Sequence, residues 1–185
     1  MSFSRWLRRV VLFVGAAVAV AILSGATYEA AMRRYAMRAF KSPGRLVDVG
    51  GGRRIQIDCR GTGSPTVVLE SGLDTYGSLS WAAVHDSIAK TTRVCAYSRA
   101  GIMWSDPATG VFSSEGVARD LHSALVGGGE TAPWVVVGHS LGGPYAVTFE
   151  ALFGAEVVGL VFVDATHPHQ FARFREVAGK SLQPG

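Results

Sequence analysis

Ser140 lies in the run Gly138-His139-Ser140-Leu141-Gly142-Gly143, directly after the apolar segment Trp134-Val135-Val136-Val137. A free serine hydroxyl is a poor nucleophile at neutral pH, so a reactive one must be activated by its setting. The valine run predicts a buried strand, and the residues from Leu141 to about Phe153 predict a helix. G-x-S-x-G between a strand and a helix forms a sharp turn that exposes the hydroxyl at the top of a sheet. The Leu141 N–H then stands at a helix start, where unpaired donors and the helix dipole favour a negative oxygen. Gly138 and Gly142 permit close backbone approach, and Pro144 falls in the first helical turn, where an N–H is dispensable. The chemistry such a serine performs is acyl transfer. The alternative is a glycine-rich turn with a capping serine.

A base for that serine is harder to find. The chain has five histidines: His85, His122, His139, His167 and His169. His85 and His122 fall on predicted helices ahead of Ser140 and read as surface residues. His139, inside the turn, reads as a packed side chain directed away from the hydroxyl. His167 and His169 follow the last apolar strand and are near enough in sequence to reach the rim of the site.

The elements that must position these residues follow from periodicity. Leu46–Val49 and Arg54–Cys59 flank three glycines and read as a hairpin. The second strand alternates Ile55, Ile57 and Cys59 with Arg54, Gln56 and Asp58, which predicts one exposed face. Further strands are expected at Thr66–Glu70 and Arg93–Tyr97, from Trp134 into Ser140, and at Val157–Val163. Helices are expected over Ser78–Lys90, from an N-cap at Ser114, over Leu141–Phe153, and from Phe171 to Val177. Apolar strands alternating with helices predict an α/β fold with a mostly parallel sheet covered on both faces.

The formal charge of +4 is unevenly distributed: residues 1–60 hold 11 Lys/Arg against three acids, and residues 61–185 hold seven against 11. The folded part has no basic stripe, so nucleic acid is not an expected partner. Between Arg9 and Glu29 lie 19 uncharged residues. As a helix they span about 28 Å, close to the hydrocarbon thickness of a bilayer. The organisation expected is a basic tip (1–9), a transmembrane anchor or signal segment (10–28), a helical basic stalk and linker (29–44) and a catalytic-type domain (45–185). An uncleaved anchor and a signal peptide cleaved near Ser24-Gly25-Ala26 both fit. Two cysteines are too few for a disulfide framework and too sparse for a metal site.

At its motifs the chain resembles the α/β-hydrolase superfamily, from about Leu46 to Gln170. Gly138-His139-Ser140-Leu141-Gly142-Gly143 is similar to the family's nucleophile motif. Val67–Leu73 resembles the strand and loop that supply a second oxyanion donor, which makes Leu73 that donor beside Leu141, although Glu70-Ser71-Gly72 stands where the family commonly has His-Gly. Tyr97-Ser98-Arg99-Ala100-Gly101 with Trp104-Ser105-Asp106 resembles a family loop in which Ser98 replaces an aspartate. The resemblance implies loop-fixing roles for Arg99 and Asp106, and a loosened structural hydrogen bond at Ser98. In some members of the family the triad acid ends this strand, which makes Asp164 the candidate acid, and in most it lies one strand later; the competing reading of Asp164 is a strand-end residue that caps or hydrogen-bonds the next turn. The resemblance also implies that the second strand lies antiparallel to the fourth, within bridging range for Cys59 and Cys95. A body outside the cytoplasm would agree with that bridge.

The family's histidine base follows a later strand, so the resemblance implies a chain truncated after the sixth strand, without the cap. Its last strand would be an apolar edge. The reading is a serine hydrolase acting on a small-molecule ester or amide through acyl-Ser140, weak or inactive as it stands, with no cofactor and no metal implied. Serine in place of aspartate argues against dehalogenase or epoxide-hydrolase chemistry. The alternative is a catalytically incomplete fragment or a membrane-tethered binding pseudoenzyme.

Overall fold

The computed structural model describes residues 3–73, 75–167 and 169–178. The chain divides into two compact units, Met1–Lys41 and Ser42–Gly185.

The first unit contains one helix, α1 (Phe3–Ala39). The expected boundary between apolar span and basic stalk does not interrupt it. Ala, Arg and Met are good helix formers, and Glu29 pairs with Arg33 one turn on at 2.7 Å. The stretch Arg5–Ala36 is long and apolar enough to cross a membrane; its most apolar window has a mean hydropathy of 2.4 and no buried residue. Membrane anchors and signal sequences share these properties.

The second unit is built on a six-stranded sheet in the order β1-β2-β4-β3-β5-β6. β1 (Arg45–Gly50) and β2 (Arg53–Arg60) form the expected hairpin, with Gly50, Gly51 and Gly52 all at positive φ. β3 (Thr66–Glu70), β4 (Val94–Ser98), β5 (Trp134–His139) and β6 (Val157–Val163) run parallel, and β2 is antiparallel to β4. Cys59 is the direct partner of Cys95 across β2 and β4, with Cα atoms 4.0 Å apart, and the two form a disulfide. β4 lies on one side of β3 and β5 on the other, so the strand order reverses there. A crevice outside the carboxyl ends of such strands is the usual ligand position in an open α/β sheet.

The helices cover both faces. α3 (Ser114–Gly127) and α4 (Gly142–Phe153) pack with Ile55, Ile57, Val68, Tyr97, Trp134 and Val136. On the other face Leu69, Val94 and Ala96 pack with Trp81, Ile88 and Ala89, around α2 (Ala82–Ala89). The last helix described is α5 (Gln170–Ala178). β6 forms one edge, with Val158, Val161, Phe162 and Val163 exposed.

Three local expectations are corrected. α2 is shorter than the sequence suggests, because Gly77–Trp81 forms a 3₁₀ turn ahead of it. The cap of α3 is Ser113, whose extended backbone lets its Oγ accept from the Gly116 N–H at 3.1 Å. The polar face of β2 is buried as well: Gln56 is 0% exposed and Asp58 7%. Gln56 tolerates this because its amide donates to the Pro43 carbonyl and accepts from the Ser98 hydroxyl, while its N–H donates to Ser105 Oγ.

Candidate active site

β5 ends at His139, and the chain turns at Ser140, which holds φ at 51°. A non-glycine residue in the left-handed region is costly, by about 1–3 kcal/mol, and persists only where its surroundings enforce it. Here the surroundings are tight. The Ser140 N–H donates to the Val163 carbonyl at 3.2 Å, and its carbonyl accepts from the N–H groups of Gly143 at 3.0 Å and Thr166 at 2.9 Å. A Cβ at Gly138 would come within 2.6 Å of the Gly142 carbonyl, and one at Gly142 would strike the Glu70 carbonyl. The side chain of Ser140 is half-buried, and Leu141 leads into α4 with helical dihedrals. Among the described residues, no basic side chain hydrogen-bonds the Ser140 hydroxyl.

The end of β3 lies beside this turn. A Cβ on Gly72 would sit 3.0 Å from Ser140 Cβ and 3.2 Å from His139 Nδ1. Leu73 follows with its side chain 86% exposed. Beneath this loop is a buried ionic cluster. Arg99 Nη1 donates to Glu70 Oε1 at 2.6 Å and to the Ser71 carbonyl at 2.7 Å, and Nη2 donates to the Gly72 carbonyl. The Tyr97 hydroxyl donates to the other Glu70 oxygen. Burial and the adjacent Glu70 carboxylate push the Tyr97 phenol well above its ordinary pKa. Burial works against the Arg99 charge, but the Glu70 carboxylate and its hydrogen bond outweigh it and raise the guanidinium pKa.

Asp164 follows β6 directly, at φ 44° and exposed, one residue beyond the carbonyl that receives the Ser140 N–H. The structure therefore puts Asp164 and Ser140 at the same end of the sheet. His167 lines a cleft of about 430 Å³ with Gly143, Pro144, Phe162 and Thr166. Its Nδ1 accepts from the His169 N–H at 3.1 Å, and both rings are exposed.

Three histidines differ from the sequence reading. His139 is exposed and meets Trp81 edge-on, with ring centroids 6.3 Å apart, so it is not packed. His85 is buried, with Nε2 3.4 Å from the Val94 carbonyl, and burial lowers its pKa. His122 stacks on Phe153 at 3.9 Å between centroids, and its Nε2 lies 3.2 Å from Glu156 Oε1. The position of His85 and His122 on helices suggests surface residues, but His85 lies against Val94 of β4 and Asp58 of β2, and His122 packs among Trp134, Phe149 and Phe153. Ser98 is also better satisfied than expected: its hydroxyl donates to Gln56 Oε1 at 2.7 Å and accepts from the Ser78 N–H at 3.2 Å. Asp106 fixes the loop as anticipated, accepting from the Arg54 N–H at 2.8 Å. The Glu70–Tyr97–Arg99 cluster was not foreseen as a unit. Its signal was a charged residue at the end of one apolar strand and another just past the end of its neighbour.

One group of possible metal ligands lies close enough together among the described residues, Cys59, Cys95 and Glu130. The disulfide removes both thiolates, and Arg45 and Arg93 hold the Glu130 carboxylate at 2.9 and 2.6 Å.

The sequence pattern of a family described as the alpha/beta hydrolase fold matches residues 65–183, which contain Ser140 and the β3 loop. The chain belongs to the alpha/beta hydrolase fold family. The chain is 31% identical over 156 residues to an uncharacterized protein of Schizosaccharomyces pombe, a match covering 69% of this chain and 29% of that protein. Its fold is similar to an esterase from Thermogutta terrifontis (TM-score 0.59, 23% identity, 73% of this chain and 52% of that one). It is also similar to the epoxide hydrolase CorEH (TM-score 0.59, 24% identity, 65% of this chain and 41% of that one). This hydrolase-fold chain thus spans well under two thirds of the proteins it resembles.

Proposed function

We propose that the chain carries the nucleophile half of a serine hydrolase acting on a small-molecule ester or amide. Ser140 Oγ gives its proton to a base and attacks the carbonyl carbon, the carbonyl π electrons move to oxygen, and collapse breaks the bond to the leaving oxygen or nitrogen, which takes that proton and departs as alcohol or amine to leave acyl-Ser140. The N–H groups of Leu73 and Leu141 receive the oxyanion, and Asp164 serves as the acid that orients a base. The observation that carries this reading is the strained φ of Ser140 between β5 and α4, with the Gly72 backbone against its Cβ. Strain of this kind is characteristic of a nucleophile turn. A serine at this position favours ester chemistry over epoxide opening, which in this fold uses a carboxylate nucleophile.

The alternative reading is a membrane-tethered binding protein. Residues 10–28 are proposed to enter the bilayer. The Cys59–Cys95 bridge supports a body on the extracytoplasmic side, anchored by α1, or released if the chain is cut near Ala26. A fluorophosphonate probe with a p-nitrophenyl acetate assay tests the choice. Labelling and turnover that vanish in Ser140→Ala support the hydrolase; equal behaviour of both proteins leaves the binding reading.

A further inference from the structure

Arg99 is none of the groups that make or break bonds in the proposed acyl transfer, yet it is a buried cation, 6% exposed, at the foot of the site. The ring of Tyr145 lies 5.1 Å from its guanidinium carbon, and Glu70 and Tyr97 hold the charge in place. A guanidinium fixed on a carboxylate presents its remaining donors in one rigid plane. Those donors go to two consecutive carbonyls, Ser71 and Gly72.

The second of these bonds has a geometric consequence. Among the described residues the cis peptides are Ser64–Pro65 and Ala132–Pro133, so the Gly72–Leu73 bond is trans. In a planar trans peptide the C=O and N–H point in opposite directions. A Gly72 carbonyl held by Arg99 therefore turns the Leu73 N–H away from Arg99. The α-carbon of the same glycine faces Ser140, with 3.0 Å between a Cβ there and Ser140 Cβ.

We infer that Arg99 is a positioning residue that aims and strengthens the Leu73 N–H. It fixes the Gly72–Leu73 peptide plane, and its charge draws electron density toward the carbonyl, which makes the N–H on the far side a better donor to a negative oxygen. Glu70 keeps the cation paired, and Tyr97 keeps Glu70 in place. None of the three touches substrate. The catalytic consequence rests on the proposal that Leu73 receives the oxyanion of an acyl transfer at Ser140; the orientation of the peptide does not.

The test uses the full chain in detergent micelles. Glu70→Gln with Arg99→Met removes both charges and leaves no buried carboxylate alone. Arg99→Lys keeps the charge but offers one ammonium to three acceptors. With p-nitrophenyl acetate, the double variant is expected to lose about a hundredfold in kcat, as for removal of one oxyanion donor, with KM little changed. Arg99→Lys is expected to fall between it and the parent. Independently of turnover, the Leu73 backbone amide signal is expected to shift in both variants, while amides of α4 stay in place. A folded variant with parental kcat and an unmoved Leu73 amide overturns the inference, and Arg99→Lys suffices if the double variant fails to fold. A parent chain with no turnover and no labelling at Ser140 removes the hydrolase proposal instead. The Leu73 amide then still decides whether Arg99 holds the peptide.

Discussion

Glu70 and Gly138 are direct partners in the parallel register of β3 and β5. The two strands therefore end at the same height, and the loops that follow them, 71–73 and 139–141, leave the sheet side by side. Neither loop needs length to reach the other. A Cβ at Gly72 would lie 3.0 Å from Ser140 Cβ and 3.4 Å from the His139 carbonyl, so the two loops already pack against each other.

Ser140→Gly should stabilise the fold while abolishing covalent labelling. The left-handed φ of 51° penalises a side chain and costs glycine nothing. A gain of about 1 kcal/mol in urea unfolding is expected, against no such gain for Ser140→Ala, which keeps the Cβ. Loss of stability in Ser140→Gly would show that the turn is unstrained.

Gly138→Ala should be damaging without touching the hydroxyl. The new methyl would lie 2.6 Å from the Gly142 carbonyl and 2.8 Å from Gly143 Cα. These are backbone atoms with no rotamer to yield, so a cost of about 2–4 kcal/mol is expected in denaturant unfolding, with loss of fluorophosphonate labelling.

Reducing the Cys59–Cys95 bridge should weaken the second unit. The bridge closes a separation of 36 residues. On the chain-entropy estimate it contributes about 4 kcal/mol at 25 °C. Comparing urea midpoints with and without reductant checks this, and Cys59→Ala with Cys95→Ala should reproduce the reduced value and lose its response to reductant.

His85 should make stability fall in mild acid. Burial lowers its folded-state pKa below the ordinary 6.5. Between the folded value and 6.5 the unfolded chain binds more protons, so the contribution is complete above about pH 6.5 and is lost as pH drops through the window beneath it. Unfolding free energies from pH 7.5 to 5 should show a slope that flattens in His85→Gln. An identical slope in the variant would assign the acid sensitivity elsewhere.

The mass of the chain, recovered from both the membrane and the soluble fractions, separates the two readings of α1. Retention of an intact N-terminus through carbonate washing marks an anchor, and a chain beginning near Thr27 marks a cleaved signal.

Most of the fold was legible because its strands are short apolar runs with clear borders. Thr66–Glu70 and Val157–Val163 appear with the bounds the sequence suggested. Ser140 was legible for the same reason: its motif stands between a strand and a helix that are each strongly patterned. What escaped was the packing of polar groups at long sequence separation. Gln56 looked solvent-facing because alternation reports only that a residue differs from its neighbours, and its partners Pro43, Ser98 and Ser105 come from three separate loops or strand ends. The histidines failed similarly. The helical periodicity around His122 gives no sign that Phe153, 31 residues later, will lie flat on its ring. The Arg99 cluster joins charges 29 residues apart, and only the parallel pairing of β3 with β4 brings them together.

The crowding around Gly72, Gly138, Gly142 and Gly143 has a practical implication for anyone sorting natural variants of this chain. None of these positions bears a reactive group, so a screen that weighs only nucleophiles, acids and bases would pass over them. A single added carbon atom at Gly138, Gly142 or Gly143 would lie 2.4–2.6 Å from a neighbouring atom, and it would displace the turn while leaving the Ser140 side chain itself unaltered.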